Sequence, residues 1–455
     1  LLFIGLILLT QGLSAFDISD PYGVDGKVSS LNSHTSITKE PIIKKGMTLS
    51  ELANFALHNN PQTRAAWITA LSKAQNVGVA NAAYMPSLSA VGSLDGAKQN
   101  SKTSDLYTNT KSGGVSLSYV VYDFGAREAN LKNAKKIVDA ANASQNAQIQ
   151  SLFLSVTESY FALFGAKASL EAYVEAEKTA RESYEAALAK YKAGTATPSD
   201  KLQAMTAYSQ AVLNRQKAEG SLKNSYAELA NTLGLDPNTE LEIAAPSTNI
   251  KEFEDFKNIE EMILEAKKMR PDLAAAAAQI EAAKASVEAA KSDAKPTISL
   301  NGSTGYSDTS LGGQTKNSSG MLSINIPIFS GFSTTYKVRA AQMETRLKEL
   351  EYEKLEKQVA LETYKAYNNL KTQTMAVKSS KDLLASADEA LKAASGRYKA
   401  GVGSILDLLT AQSAYASARQ QNIDAVYNWY IMRATLLQSM GRLVFSEIEK
   451  IDNGN

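Results

Sequence analysis

The feature that most restricts this chain is that it is written twice. A shift of 207 residues superposes Tyr160 on Tyr367, Leu163 on Leu370, Asp200 on Asp407, Tyr208 on Tyr415 and Gly234 on Gly441. The letters YKAG recur at 191–194 and 398–401, each followed six residues later by an Asp. Upstream, with a slip of three, Pro61 meets Pro271 and Pro86 meets Pro296. Self-similarity at a fixed offset marks a duplicated architectural unit. A copy of about 200 residues is too long for a solenoid repeat and long enough for an assembly of its own.

Proline placement gives the anatomy of each copy. All ten prolines lie outside residues 87–197 and 328–455. Residues 127–190 are rich in Ala, Glu, Lys, Leu and Gln, the good helix formers. Ile149, Leu152, Val156, Tyr160 and Leu163 step by three and four, as one helix face does. Phe153, Phe161 and Phe164 make a second apolar face, so this rod packs on more than one side. Its length is roughly 96 Å at 1.5 Å per residue, and residues 333–397 give the matching rod. Residues 49–82 with 199–233, and 258–294 with 407–440, each add to about one rod length and run against it. The expected unit is four rods side by side, two continuous and two spliced. YKAG sits where a long rod ends and the chain turns back. Gly194 and Gly401 suit the left-handed position after a helix C-terminus, and Pro198, Ser199 and Asp200 suit the first turn of the next helix.

At the far end of the rods the period changes to two. In PSLSAVGSL (86–94), GGVSLSYVVYDFG (113–125), PTISLNGSTGY (296–306) and GMLSINIPIFSG (320–331), apolar residues alternate with Ser, Thr or Asn. These predict four strands in two hairpins, with polar loops at 99–110 and 307–319. Aromatic residues gather at the helix-side ends: Tyr119, Tyr122 and Phe124, then Phe329 and Phe332. Such strands fit an outer-membrane barrel or a soluble hairpin cap on a helical body. Four strands cannot close a barrel and lipid tolerates no open edge. In a membrane, several chains must therefore share one barrel.

Composition removes other function classes. Net charge is +1, so no basic excess exists to hold nucleic acid. There are no cysteines and two histidines, His34 and His58, which excludes thiol chemistry and a Cys-rich zinc site. No nucleophile elbow, phosphate-binding loop or zinc-protease helix motif occurs, so neither an enzyme nor a cofactor is expected. The opening LLFIGLILLTQGLSA reads as the apolar core and cleavage site of a secretory signal at 1–15, its basic start missing. The alternatives there are a buried strand or a membrane anchor. No later stretch is apolar for 18 residues.

Duplicated rods, turns, spliced rods and hairpins together resemble the TolC-type outer-membrane efflux proteins over about residues 45–445. The matches are the YxxG turns with a downstream Asp, the strand-ending VYDFG and PIFSG, and the helix-ending LGL at 233–235. The resemblance implies an α+β membrane protein, a homotrimer whose duplicated helical hairpins form a periplasmic α-barrel. Four strands per chain then complete a 12-stranded β-barrel in outer-membrane lipid of a Gram-negative cell. It implies an exit duct for drugs or secreted proteins, served by a periplasmic adaptor and an inner-membrane pump of RND, ABC or MFS type. On this scheme a periplasmic segment (16–48) precedes a first repeat (49–235). An equatorial segment (236–257), a second repeat (258–442) and a tail (443–455) follow. A non-conducting periplasmic tether or adhesin stalk is the competing account of the rods.

The resemblance also assigns roles residue by residue. The YKAG turns become adaptor-docking tips, with Tyr191, Lys192 and Gly194 in the first and Lys399, Gly401 and Gly403 in the second. Gate positions fall on Asp200, Ser199 and Tyr398, and an inward-facing acidic ring on Asp407, the ring-of-charge device of cation channels. A Tyr398 hydroxyl to Asp200 bond would hold the tips together. Gly403 stands where the family pattern has an arginine and Thr410 where it has a second acid, while Lys201 adds a charge the pattern does not ask for. Without any gate, Asp200 and Asp407 serve as first-turn acids of their helices.

Overall fold

The computed structural model of the chain describes residues 20–28, 45–100, 105–246 and 258–452. The expected signal at 1–15 lies outside them, as do residues 247–257 of the inter-repeat segment and 453–455 of the tail. Among the described residues no helix is long and apolar enough to cross a membrane.

The duplication is carried into the helices at equal length. Helices α1 (Leu49–Asn59) and α5 (Ile259–Met269) have 11 residues each, and α2 (Pro61–Ala82) and α6 (Pro271–Ser292) have 22. The long rods α3 (Ala126–Lys192) and α7 (Ser333–Lys399) have 67, and the return helices α4 (Pro198–Thr232) and α8 (Ile405–Ser439) have 35. A last helix, α9, spans Phe445–Asp452. Strands β1 (Ser87–Asn100) and β2 (Asp105–Tyr122) fall between α2 and α3, and β3 (Thr297–Thr309) and β4 (Gly313–Asn325) between α6 and α7.

Residues 49–82 and 258–294, expected as unbroken helices, are each split at a proline. Asn60 and Arg270 take extended ψ of 128° and 124°. A residue before proline is driven out of the helical region, and the proline itself starts a fresh helix without needing its missing N–H. A glycine from the end of the return helix seats against each break. Gly234, at φ 76°, would place a Cβ 2.9 Å from the Asn59 carbonyl oxygen; Gly441, at φ 72°, would place one 2.8 Å from the Met269 carbonyl. Both glycines close the same helix-end motif, in which Leu235 N donates to Ala230 O and Arg442 N to Leu437 O, each at 2.8 Å. Side chains then bridge the break: Asn60 Nδ2 donates to Thr232 O at 2.8 Å in the first repeat, and Arg270 Nη1 to Ser439 O at 3.4 Å in the second.

The described residues fall into two compact units. One draws on residues 45–66, 144–246, 258–273 and 355–452. Its core is the aromatic middle of the rods. Phe161 stacks on Tyr430 with centroids 4.6 Å apart, Trp429 donates its indole N–H to Thr374 Oγ1 at 2.9 Å, and Leu152, Val156, Leu370 and Leu436 are buried around them. Tyr160 is buried to 1 % exposure yet satisfied, because its hydroxyl donates to Ala244 O at 2.9 Å. That carbonyl belongs to a strand-like segment pinned by the Met47–Ile243 bridge. Asp452 of α9 accepts from Ser50 Oγ at 3.2 Å, at the N-terminus of α1, where an anion is favoured. Thr48 and Glu51 complete that terminus as a reciprocal cap.

The other unit, from residues 20–28, 67–100, 105–143 and 274–354, carries the sheet. Val24 and Val28 pack on Ala70, Ala74, Val77 and Val138, and Asn133 Nδ2 ties α3 to the Ala282 carbonyl of α6 at 2.8 Å. The sheet order is β1-β2-β3-β4, antiparallel throughout. Register puts Leu88 opposite Leu117, Tyr119 opposite Leu300, and Leu300 opposite Leu322 on one face. The other face pairs Ser89 with Ser116, Ser116 with Ser303, and Ser303 with Ser319. The serines bond across strands, Ser89 to Ser116 at 2.7 Å and Ser303 to Ser319 at 2.8 Å. On the apolar face Leu88 is 72 % and Leu94 81 % exposed, so that face has no partner among the described residues.

The described residues of the segments expected as polar loops are strand, apart from a turn at 310–312. β1 and β2 extend to pair Asn100 with Asp105, and β3 and β4 extend to pair Thr309 with Gly313. Their Ser, Thr and Asn content signals turns locally, but the same side chains pair across strands, as Thr304 Oγ1 does with Ser318 Oγ at 2.9 Å.

The junction VYDFG, which ends β2 and starts α3, is held by one arginine. Phe124 has φ 53°, a conformation an L-residue keeps only where its surroundings over-determine it. Asp123 Oδ2 accepts from Arg127 N at 2.8 Å and from Arg127 Nε at 3.0 Å, while Arg127 Nη1 donates to Val120 O at 2.7 Å. The guanidinium also lies 4.8 Å from the Tyr84 ring centre.

Candidate functional site

The two YKAG turns lie in the same unit and meet around one small core. Ala187 of α3, Ala204 of α4, Tyr398 of α7, and Ile405 and Leu408 of α8 are buried together, with Tyr184, Leu391 and Leu409 packed against them. Four helix ends therefore converge here. Each rod stops for the same reason: Gly194 takes φ 75° and Gly401 φ 80°, letting Thr195 N reach back to Lys190 O at 2.9 Å and Val402 N to Arg397 O at 3.0 Å. Lys192 and Lys399 put positive charge in the last turns, against the negative end of each helix dipole.

Each return helix starts with a hydroxyl cap and an acid three residues on. In α4, Thr197 Oγ1 accepts from Asp200 N at 3.2 Å and Asp200 Oδ2 accepts from Thr197 N at 2.9 Å, a full capping box. In α8, Ser404 Oγ accepts from Asp407 N at 3.0 Å. The Asp407 carboxylate is exposed and, among the described residues, has no ion pair or hydrogen bond of its own. Ser199 is exposed on the first turn of α4, where its hydroxyl accepts from Gln203 Nε2 at 3.4 Å. Thr410 is exposed one turn beyond Asp407.

The Tyr398–Asp200 hydrogen bond expected above is not formed, because the Asp200 carboxylate is engaged with the backbone of its own helix start. The two still interact at longer range: burial, and then the negative charge of Asp200, push the Tyr398 hydroxyl pKa up. Tyr398 is 7 % exposed, whereas its counterpart Tyr191 is 39 % exposed. Lys201 has a place after all, with its ammonium 5.4 Å from the Tyr191 ring centre. An arginine at Gly403 would need this backbone to give by a few tenths of an ångström, since a Cβ there would lie 3.0 Å from both Arg397 Cβ and Tyr398 N. Its N–H donates to Arg397 O at 3.1 Å.

Three contributors are not among the residues singled out from the sequence. Thr197 and Ser404 could have been found as cap residues three before an acid. Lys190 could not. Its ammonium donates to the Tyr398 carbonyl at 3.0 Å and lies 3.9 Å from the Tyr398 ring centre, a contact between residues 208 apart.

Above the turns, α3 holds α4 and α8 by polar bridges. Arg215 of α4 pairs with Glu177 of α3 and Glu219 of its own helix; Gln412 and Gln420 of α8 donate to Ser183 and Ser169 of α3 at 2.7 and 2.8 Å. Higher still, a cleft of about 470 Å³ opens between these three helices, lined by Ser169, Tyr173, Lys217, Gln420, Asp424 and Tyr427 among others. Among the described residues no group of His, Cys, Asp and Glu could hold a metal.

These features can be set beside known proteins. The sequence pattern of the family described as outer membrane efflux protein matches residues 52–235 and 262–442, one match per repeat. The protein CyaE of Bordetella pertussis is 28 % identical over 409 residues, covering 89 % of this chain and 86 % of that protein. The outer membrane protein TolC of Escherichia coli is 22 % identical over 90 % of this chain and 85 % of its own length. Among solved structures, the CmeC outer membrane channel of Campylobacter jejuni superposes with a TM-score of 0.75 at 19 % identity, covering 92 % of this chain and 94 % of that one. CusC does so with a TM-score of 0.76 at 22 % identity, covering 87 % and 92 %. With the family pattern covering both repeats, and the same fold in these neighbours, the chain belongs to the outer membrane efflux protein family.

Proposed function

We propose that the chain is the exit duct of an export system, passing drugs or secreted proteins through the outer membrane of a Gram-negative cell. The observation that carries this is the sheet: an unpartnered apolar face, a hydroxyl-bonded polar face and two open edges, joined to paired helical rods. Lipid accepts strands only in a closed barrel. Three chains would supply twelve strands, the apolar faces turned to outer-membrane lipid and the serine ladder to the lumen. The rods of the same three chains would continue the passage, with the YKAG turns at its inner mouth. A periplasmic adaptor would dock on those turns. An inner-membrane pump of RND, ABC or MFS type would supply the energy, since no nucleotide-binding motif occurs in the chain.

In this reading three Asp407 carboxylates face the axis at the mouth and attract cations. Their exposure and lack of a partner support that role; Asp200, engaged in its cap, acts on the turn from within. A coiled-coil tether or adhesin stalk would account for the rods but leaves the duplicated amphipathic sheet without a purpose.

The test is planar-bilayer conductance of the detergent-extracted protein, wild type against Asp407→Asn. Discrete cation-selective openings, with selectivity reduced in the variant, are expected. Protein that stays folded but never enters the bilayer would overturn the channel; entry with unchanged selectivity would remove Asp407 from the constriction.

A further inference from the structure

We infer that Lys190 is the positioning residue that clasps the second turn to the first repeat, holding Tyr398 in place from the end of the neighbouring rod. The inference rests on the gate reading above for its consequence, but its geometry stands apart from it.

Lys190 lies in the last turn of α3, and its ammonium makes two contacts with one residue of the other repeat: the Tyr398 carbonyl at 3.0 Å and the face of the Tyr398 ring at 3.9 Å. The site suits a cation on both counts. It lies at the C-terminal ends of α3 and α7, where the unsatisfied carbonyls concentrate negative potential, and the ring offers its negative face. The ring's other surroundings are Ala187, Ala204, Ile405 and Leu408, which exclude water and leave the tyrosine 7 % exposed. Among the described residues this is the polar contact between repeats nearest the turns; the next, Gln412 to Ser183, lies farther back along both rods.

The contact is not a by-product of the duplication. Arg397 is the counterpart of Lys190, yet its side chain is exposed, and its carbonyl serves the turn by accepting from Val402 N and Gly403 N. Tyr191, the counterpart of Tyr398, is covered by Lys201 of its own repeat. The clasp is therefore made once per chain and in one direction, from first repeat to second. Without it, the Tyr398 carbonyl keeps only the Gly401 N–H at 3.2 Å, and nothing polar ties the second turn across to α3 at that level.

Lys190→Met keeps the aliphatic stem and removes the charge; Lys190→Arg keeps charge and reach. Two readouts are needed. The first is the spread of distances between spin labels on Lys192→Cys and Val402→Cys, which are unique sites because the chain has no cysteine, measured in detergent with labelled chain diluted in unlabelled. The second is bilayer current of the same variants. Lys190→Met should broaden and lengthen the label distance and shift the closed-to-open ratio about tenfold towards open, as loss of a charged hydrogen bond and a cation–π contact would. Lys190→Arg should restore both. Distances that widen with no change in current would leave the clasp standing and count against the gate reading alone. Unchanged distances in Lys190→Met, whatever the current does, would overturn the clasp, as would failure of Lys190→Arg to restore them.

Discussion

Gly441→Ala isolates the cost of the close approach at the helix break, because the chain contains its own control. Gly441 and Gly194 have nearly the same φ, 72° and 75°, but a Cβ at Gly441 would lie 2.8 Å from the Met269 carbonyl, while nothing lies within 4 Å of one at Gly194. The left-handed conformation costs an alanine about 1–2 kcal/mol at either site, and the gain from stiffening the unfolded chain is common to both. Forcing a methyl into a filled space adds about 1–3 kcal/mol at Gly441 only. At roughly 2–4 °C per kcal/mol for a unit of this size, Gly441→Ala should melt some 2–12 °C below Gly194→Ala. The probe is Trp429, buried in the core beside the break and the only other tryptophan besides Trp67. In a Trp67→Phe background its fluorescence reports that unit alone. Equal midpoints for the two variants would refute the claim that the break is packed against the glycine.

Two further outcomes test other parts of the argument. Burial, and then the charge of Glu228, raise the Glu158 pKa, so the folded chain binds that proton more tightly than the unfolded chain does. The resulting penalty is complete above the raised folded value and absent below the ordinary unfolded one. Glu158→Gln should therefore raise the melting midpoint at pH 8, with the gain fading as pH falls through the carboxylate range; a pH-independent gain would refute it. Thr197→Val and Asp200→Ala each break the α4 cap and should each loosen that turn by about 1 kcal/mol, read as faster limited proteolysis at the turn. Should Asp200→Ala alone also change bilayer current, its charge acts beyond the cap.

The fold class could be read from the chain because its signals are periodic and repeated. The apolar positions Leu152, Tyr160 and Leu163 and the alternation at Leu117–Val121 each appear again 207 residues on, at Val359, Tyr367 and Leu370 and at Ile324–Ile328. What could not be read was contact between segments distant in sequence. Ser318 and Ser319 look like loop formers singly and join a ladder only when paired across strands with Thr304 and Ser303. Asn60 and Arg270 lie inside good helical patterns, and the steric demand of the following proline outweighs them. At the turns, the caps on Asp200 and Asp407 are local and were open to inspection. The seat of Lys190 on Tyr398 depends on two rods being brought side by side, and no spacing rule within either repeat announces it. The Tyr398–Asp200 bond failed for the complementary reason: a nearby backbone N–H competes for the same carboxylate.

Gly403 has a consequence for how such turns can change over time. Its backbone passes so near Arg397 and Tyr398 that even a methyl would lie at 3.0 Å. The path of the turn and the size of the residue at 403 are thus coupled: a side chain there requires its neighbours to give by a few tenths of an ångström. A turn sequence taken from a relative is therefore best exchanged over residues 397–404 as one cassette, so that the loop path changes together with the side chain it is to carry.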